Sequence, residues 1–350
     1  MRRVRLVLIG ASVLALVGVG LPGLPAHAAR TYTVSPGADL KAAFERLRAG
    51  DTLRLNPGTY NVSGGGALRP NLAAGSPSAR ITVTAADPSR KPVLQGRLFL
   101  KNARYWNFFY LRVQATVPGA EAVFMAGGTG WAIREGEFWG ASATGAYANV
   151  AIGNADHTNT ATAPKGWQFA QNCVHDAGRG TAAGHGDTDH NIYVIASGDA
   201  DGVISRNTLF NATSGSQIKI GNGGDRNAVG ASNIRIEYNL TYNANHQILI
   251  FGNLKSIMIK GNLMMKSNHP RTPVGIYLNN LRYSGGVYVA HNYAYLLKPV
   301  VFAPSPTTSA MWRNGGDNRI GGDPRMSNGC AFRPANPDAA KYGRWSTVSY

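Results

Sequence analysis

Lys219 stands between Ile218 and Ile220, a single amine on an apolar segment. Tyr193 stands the same way between Ile192 and Val194. In a strand, alternation turns the isoleucines and the valine inward and the amine and phenol outward. If the two segments are neighbouring strands of one sheet, amine and phenol lie side by side. That pair suits β-elimination from a uronic acid. The reaction needs a cation against the C6 carboxylate, a base at C5 and a proton donor for the leaving oxygen. Lys219 is the candidate base or carboxylate clamp, and Tyr193 the candidate proton donor. The plainer reading of Lys219 is a solvated lysine on a sheet face.

The densest ionisable stretch precedes Tyr193. It runs His175-Asp176-Ala177-Gly178-Arg179-Gly180 and then His185-Gly186-Asp187-Thr188-Asp189-His190. A glycine-rich loop on a rigid scaffold is a common place for functional groups. Arg179, and Arg226 in a later loop, are candidate carboxylate clamps if those loops fold over the face. His190 is a candidate general base or carboxylate ligand. Alternation also places it inward near a corner, where a hydrogen-bonded structural histidine is at least as good a reading. His246 takes the matching place further on. Asp187 and Asp189 can serve as the carboxylate pair of a hydrolase. With Asp199 and Asp201 they can instead offer oxygen ligands to calcium, or simply form turns. Asn191, Gln217 and Gln247 are candidate hydrogen-bonding partners for sugar hydroxyls, or an amide ladder serving the scaffold. Phe124 and Tyr277 are candidate stacking platforms. Arg235, Glu237 and Lys260 read as a solvated ion-pair patch of little energetic weight.

These residues need strands to position them. Apolar-x-apolar triplets recur at Leu98, Val123, Val150, Ile192, Ile218, Ile248, Ile276 and Val300. Their spacing falls in the window of about 20–50 residues that marks stacked or radial repeats. Second strands ending in asparagine follow several of them, at Asn172, Asn207, Asn239, Asn262 and Asn292. An asparagine recurring at one corner suits a stack, because its amide can bond up and down and tolerates left-handed backbone. No helix-period stripe lies between the strands. The expected fold is all-β, a right-handed parallel β-helix, with a propeller as the structural runner-up. Leu40, Phe44 and Leu47 share one helical face and read as a short N-terminal capping helix over the open end. Residues 51–60 read as the first strand and turn. The outward column of the stack reads Phe99, Phe124, Ala151, Tyr193, Lys219, Leu249, Tyr277 and Val301.

Composition agrees. Glycine contributes 43 of 350 residues, more than the usual share of about 7%, and charged residues only 15%. A hydrophobic content of 44% is enough to bury a core, which excludes disorder. The N-terminus, Met1-Arg2-Arg3-Val4-Arg5, an apolar run to about Leu21 and then Ala26-His27-Ala28, has the layout of a secretory signal peptide over residues 1–28. Residues 29–350 then form a single domain, and no later stretch is long and apolar enough to span a membrane. The formal charge of +17 draws the chain to polyanions. Nucleic acid is not the expected partner, because there is charge without a recognisable binding module. A disulfide between Cys173 and Cys330 is not expected from the sequence, which places neither near the other. No Cys/His spacing of a metal site, hydrolase elbow, phosphate loop or dinucleotide fingerprint is present.

The segment Gly50-Asp51-Thr52-Leu53, followed by Pro57-Gly58-Thr59-Tyr60 after a cap helix, resembles the opening of secreted pectin-lyase-like β-helix proteins. Residues 172–194 are similar to a pattern of secreted β-helix chains, and Gly321-Gly322-Asp323-Pro324 with Phe332-Arg333-Pro334 to their closing segment. The resemblance spans nearly the whole chain after the leader. It implies a polysaccharide-active protein, with Lys or Arg as the base and calcium or a cationic side chain as neutraliser. One departure stands out. The lyase branch with the most similar opening pairs a lysine with an arginine on the next coil, where this chain has Leu249 and Gln247. The leading expectation is a secreted, monomeric lyase of an acidic, uronate-containing polysaccharide, with His190 and Arg179 assisting Lys219 and Tyr193. It requires no cofactor, with calcium the one ion in prospect. The alternatives are a glycoside hydrolase using Asp187 and Asp189, and a glycan-binding or cell-envelope protein without turnover.

Overall fold

The computed structural model describes residues 27–62, 66–156, 159–179, 188–221, 229–265, 274–282, 286–295, 297, 299–304, 311–321 and 329–330. His185, Asp187, Arg226, most of the leader and most of the closing segment lie outside the described residues.

The protein is all-β, and its strands pair in parallel. Eleven strands stack in one sheet, from Thr31–Val34 to Trp312–Asn314. Sixteen belong to a second sheet. Three long strands of that second sheet, Val93–Lys101, Thr208–Ile220 and Leu240–Phe251, pair with different shorter strands along their two halves. The second sheet therefore has two arms that meet at a bend. A register shift between Ala212 and Ser216 marks it. Successive passes of the chain visit the eleven-stranded sheet, the first arm and the second arm. Residues 202–205, 208–212 and 216–220 make one pass, and 234–237, 240–244 and 246–250 the next. Parallel pairing between passes excludes the antiparallel blades of a propeller.

The apolar triplets explain the stacking. Ile192, Val194, Ile218, Ile220, Ile248, Ile250, Ile276 and Leu278 are all fully buried on the second arm, and Ile234, Ile236, Val287 and Val289 on the eleven-stranded sheet. Each such side chain contributes roughly 1.5–3 kcal/mol by leaving water. Asp39 caps the short helix Leu40–Glu45, its carboxylate accepting from the Ala42 amide at 3.1 Å. Phe44 of that helix is buried against Trp106, with ring centroids 6.1 Å apart. The first strand is Thr31–Val34, not the segment after Gly50 that the sequence marks. It pairs with Thr52–Leu55 and lies on the N-terminal edge of its sheet.

The corner asparagines form a buried ladder. Each Nδ2 donates to the Oδ1 of the next, from Asn172 to Asn207 (3.2 Å), Asn239 (2.9 Å), Asn262 (3.0 Å), Asn292 (2.9 Å) and Asn318 (3.0 Å). The same oxygens accept the backbone N–H of the asparagine before them. The left-handed residue is the one before each asparagine: Gln171, Arg206, Tyr238, Gly261, His291 and Asp317 have φ of 59, 57, 56, 67, 53 and 53°. The asparagines thus tie passes together rather than absorb the turn.

Cys173 and Cys330 form a disulfide, with Cα atoms 5.5 Å apart across 157 residues of sequence. The sequence expectation of unpaired thiols is corrected. The return of the chain beside the first arm, which no local pattern announces, brings the two together.

Candidate active site

Parallel register builds one column on the outer side of the second arm. It runs Phe99, Phe124, Ala151, Tyr193, Lys219, Leu249, Tyr277 and Phe302. Phe302, not Val301, closes it, because Val301 pairs with the inward Ile276. Tyr193 and Lys219 are adjacent, as the spacing predicts. The Lys219 ammonium lies 4.5 Å from the centroid of the Tyr193 ring. Both are half-buried.

Among the described residues two rings meet Tyr193 edge-on. The Tyr147 ring meets Tyr193 edge-on at 5.8 Å, and the His190 ring does so at 5.2 Å. The Tyr147 hydroxyl donates to Glu121 at 2.8 Å, and Arg97 pairs with Glu121 at 2.7 Å. Burial, and then the Glu121 charge, push the Tyr147 hydroxyl up, so it stays protonated and keeps donating. His190 is fully buried and accepts the Ser216 backbone N–H at Nδ1, 3.1 Å away. Burial, and then the charges of Lys219 and His246, hold it well below the usual histidine range. A neutral imidazole with an accepting Nδ1 carries its proton on Nε2. His190 is therefore a neutral neighbour of the pair, not a cation. Inward alternation had pointed to this placement.

The amides two residues earlier occupy a different environment. Asn149 donates to Asn191 at 2.8 Å and Asn191 to Gln217 at 2.5 Å, and all three are fully buried. Asn191 also donates to the Phe210 carbonyl, and Gln217 to the carbonyls of Tyr242 and Asn243. Those carbonyls belong to the first arm or the bend, so the amides fill the angle between the arms. Gln247 is fully buried as well. None of Asn191, Gln217 and Gln247 reaches an exposed surface where a sugar hydroxyl could bond. The scaffold reading of these amides is the one the geometry supports.

Arg179 is likewise committed. Its backbone N–H and its Nε both bond the buried Asp189, at 3.0 Å and 2.9 Å, and Nη2 bonds it too. Ser214 donates to the same carboxylate at 2.7 Å. Burial alone would raise the Asp189 carboxyl, but Arg179 and Ser214 outweigh it and hold it below the usual range. A carboxylate enclosed this way is neither half of a hydrolytic pair nor open to calcium, and the arginine is not a free clamp. Asp199 is bonded by Asn233 at 2.5 Å. His175 lies between Glu137 (3.1 Å) and Asp176 (2.8 Å) and stacks on Phe210 at 4.7 Å. Burial works against its charge, but the two carboxylates win and push it up to about 9. Cys173, His175 and Cys330 cluster within 4.8 Å, yet both sulfurs are bound in the disulfide and offer no thiolate to a metal.

Aromatic rings flank the pair along the column. On one side Phe124 meets Phe99 edge-on at 5.3 Å, with the Arg97 guanidinium 5.2 Å and Arg69 4.7 Å from the Phe99 centroid. On the other, Tyr277 stacks between His246 at 4.5 Å and Phe302 at 5.5 Å. Phe124 and Tyr277 are thus on the face expected of them. Glu121 and Tyr147 were missed, because both lie outside the apolar triplets and join the site only through the stacking of passes. Arg97, two residues before Phe99, joins the site through its ion pair with Glu121.

The strand order defines a class of fold: an all-β protein of stacked parallel strands. Among solved structures the chain is similar to an alginate lyase from Paenibacillus sp. str. FPU-7, at 17% identity and a TM-score of 0.63, covering 83% of this chain and 95% of that one. It is also similar to pectate lyase Pel9A, at 12% identity and a TM-score of 0.53, covering 80% of this chain and 79% of that one. The likeness is one of fold. No family model and no curated protein matches the sequence.

Proposed function

We propose that the protein is a polysaccharide lyase that cleaves an acidic, uronate-containing glycan by β-elimination. The observation that carries this is the Lys219 ammonium held against the Tyr193 ring on the outer face of the second arm. Lys219, as the neutral amine, takes the C5 proton and becomes an ammonium beside the C6 carboxylate. Tyr193 gives its proton to the leaving oxygen as the C4–O bond breaks and the C4–C5 double bond forms. The likeness in fold to an alginate lyase and a pectate lyase supports this choice of reaction class. We read the alternation of sheets as a right-handed parallel β-helix, a single domain over residues 29–350, acting as a monomer. We also propose export. The leader-like start and the disulfide support it, since disulfides persist in oxidising compartments. No helix among the described residues is long and apolar enough to cross a membrane. A calcium requirement remains part of the proposal to be tested.

The test is ultraviolet absorbance of unsaturated uronate. Purified protein is run on pectate, alginate, hyaluronan, chondroitin and heparin-type glycans, with calcium and with chelator. We expect rising absorbance on one substrate class and a loss of about 10³-fold in Lys219→Ala. A flat trace across the panel from folded protein sinks the lyase reading. Full activity in Lys219→Ala sinks the assignment of the site.

A further inference from the structure

A second charged face lies on the eleven-stranded sheet. Its outer side holds a hollow of about 380 Å³ lined by Arg80, Asn107, Phe109, Arg134 and Gln168. An adjoining hollow of about 360 Å³ shares Arg134 and Gln168 and adds Arg206, Arg235 and Glu237. The register explains the row. Thr82, Asn107, Ala132, Gln168, Val203 and Arg235 are successive outward positions on neighbouring strands. Neighbouring strands lie about 4.8 Å apart, so the two hollows together cross several strands.

The two arginines at the centre are fixed but not neutralised. Arg80 donates through Nε to Asn107 at 2.8 Å and through Nη2 to the Gly130 carbonyl. Arg134 donates through Nε and Nη2 to Gln168, and its guanidinium lies 5.9 Å from the Phe109 centroid. These bonds use one edge of each fork and leave both Nη1 groups without an acceptor among the described residues. No carboxylate among them lies within ion-pair reach of either arginine. Asp201 lies close to Gly166, one of the residues that line the first hollow. Burial, and then the charge of Arg134, hold Arg80 below its usual value, as expected of two cations sharing one hollow. Like charges held together by neutral amides are electrostatically incomplete, and an anion completes them.

We propose that this face is a second binding site for acidic glycan, in which the free edges of Arg80 and Arg134 hold carboxylates of a chain laid across the strands. Guanidinium forks match carboxylates in geometry as well as charge. Asn107, Gln168 and the Thr82 hydroxyl are neutral partners suited to sugar hydroxyls. A single-stranded nucleic acid is disfavoured, because the Phe109 ring lies under Arg134 rather than open for base stacking. The site belongs to a different sheet from Lys219, so it acts by holding polymer and not by chemistry.

The experiment is calorimetric titration of short oligomannuronate and oligogalacturonate into Lys219→Ala, which removes turnover, and into Lys219→Ala carrying Arg80→Gln and Arg134→Gln. We expect about two ligands per chain in the first and about one in the second, with a shallower salt dependence. If the lyase site itself binds nothing, the counts become about one and none, which still supports the second face. Equal counts and affinities in the two proteins overturn the proposal, as does equal binding of single-stranded DNA of matched charge. If Arg80→Gln fails to fold, Arg134→Gln alone serves, because its bonds go only to the Gln168 side chain. An affinity loss of about tenfold at the weaker site is then expected, and none overturns the proposal.

Discussion

Two columns two residues apart climb the same strands on the same face. Asn149, Asn191 and Gln217 form one, and Ala151, Tyr193 and Lys219 the other. The first is sealed, whereas Tyr193 and Lys219 of the second are half-open beside the buried Ala151. The difference is distance from the bend. Nearer the bend, the first arm's carbonyls cover the side chains and use up their donors. Two residues further on, Tyr193 and Lys219 are half-exposed. Polarity therefore does not tell the open column of this sheet from the sealed one, whereas position along the strand does.

Three substitutions sharpen or break that contrast. Tyr193→Phe removes one proton donor from the open column and is expected to cut turnover by about 10²-fold while leaving the melting temperature within experimental scatter. A melting shift as large as that of a ladder variant would place Tyr193 in the scaffold. Asn191→Ala acts on the sealed column. It removes one of two acceptors from the Asn149 amide, the Asn191 donor from the Gln217 Oε1 and one of two donors from the Phe210 carbonyl, at a cost of about 2 kcal/mol. Urea unfolding should show that loss, and turnover per folded molecule should remain. Turnover falling more than stability would return Asn191 to the substrate.

The smallest effect is a pH dependence on the first arm. The folded-state value of His175, about 9, lies above the ordinary histidine value of about 6.5. Its contribution to stability is therefore fully present below pH 6.5 and is lost as pH rises through 9. Wild type should lose stability relative to His175→Gln over that window, seen as converging denaturation midpoints. Parallel curves would show that the Glu137 and Asp176 contacts do not hold the charge.

The inward half of the fold was legible because apolar triplets report a buried face directly, as at Ile218 and Ile220. The ladder from Asn172 to Asn292 was legible for a similar reason, since one residue type recurs at one corner. The pairing of Tyr193 with Lys219 followed from register alone. What was hidden depends on where separate passes meet. Asn191 and Gln217 could not be told from sugar ligands, because the carbonyls that cover them come from the first arm. Arg179 looked free because Asp189, its partner, is ten residues away in the sequence. Glu121 and Tyr147 carry no local pattern, and only the stack brings them beside Tyr193.

A stack whose passes touch only their neighbours melts like a zipper, from its ends inward. The bridge from Cys173 to Cys330 changes that geometry. It fastens a late segment to a middle pass and so closes 157 residues into a ring that contains Tyr193 and Lys219. Fraying that starts at the C-terminal end leaves the two ends of the ring tied, which restricts how far its strands can move apart. The part of the zipper that bears Tyr193 and Lys219 is the part whose two ends are stitched together.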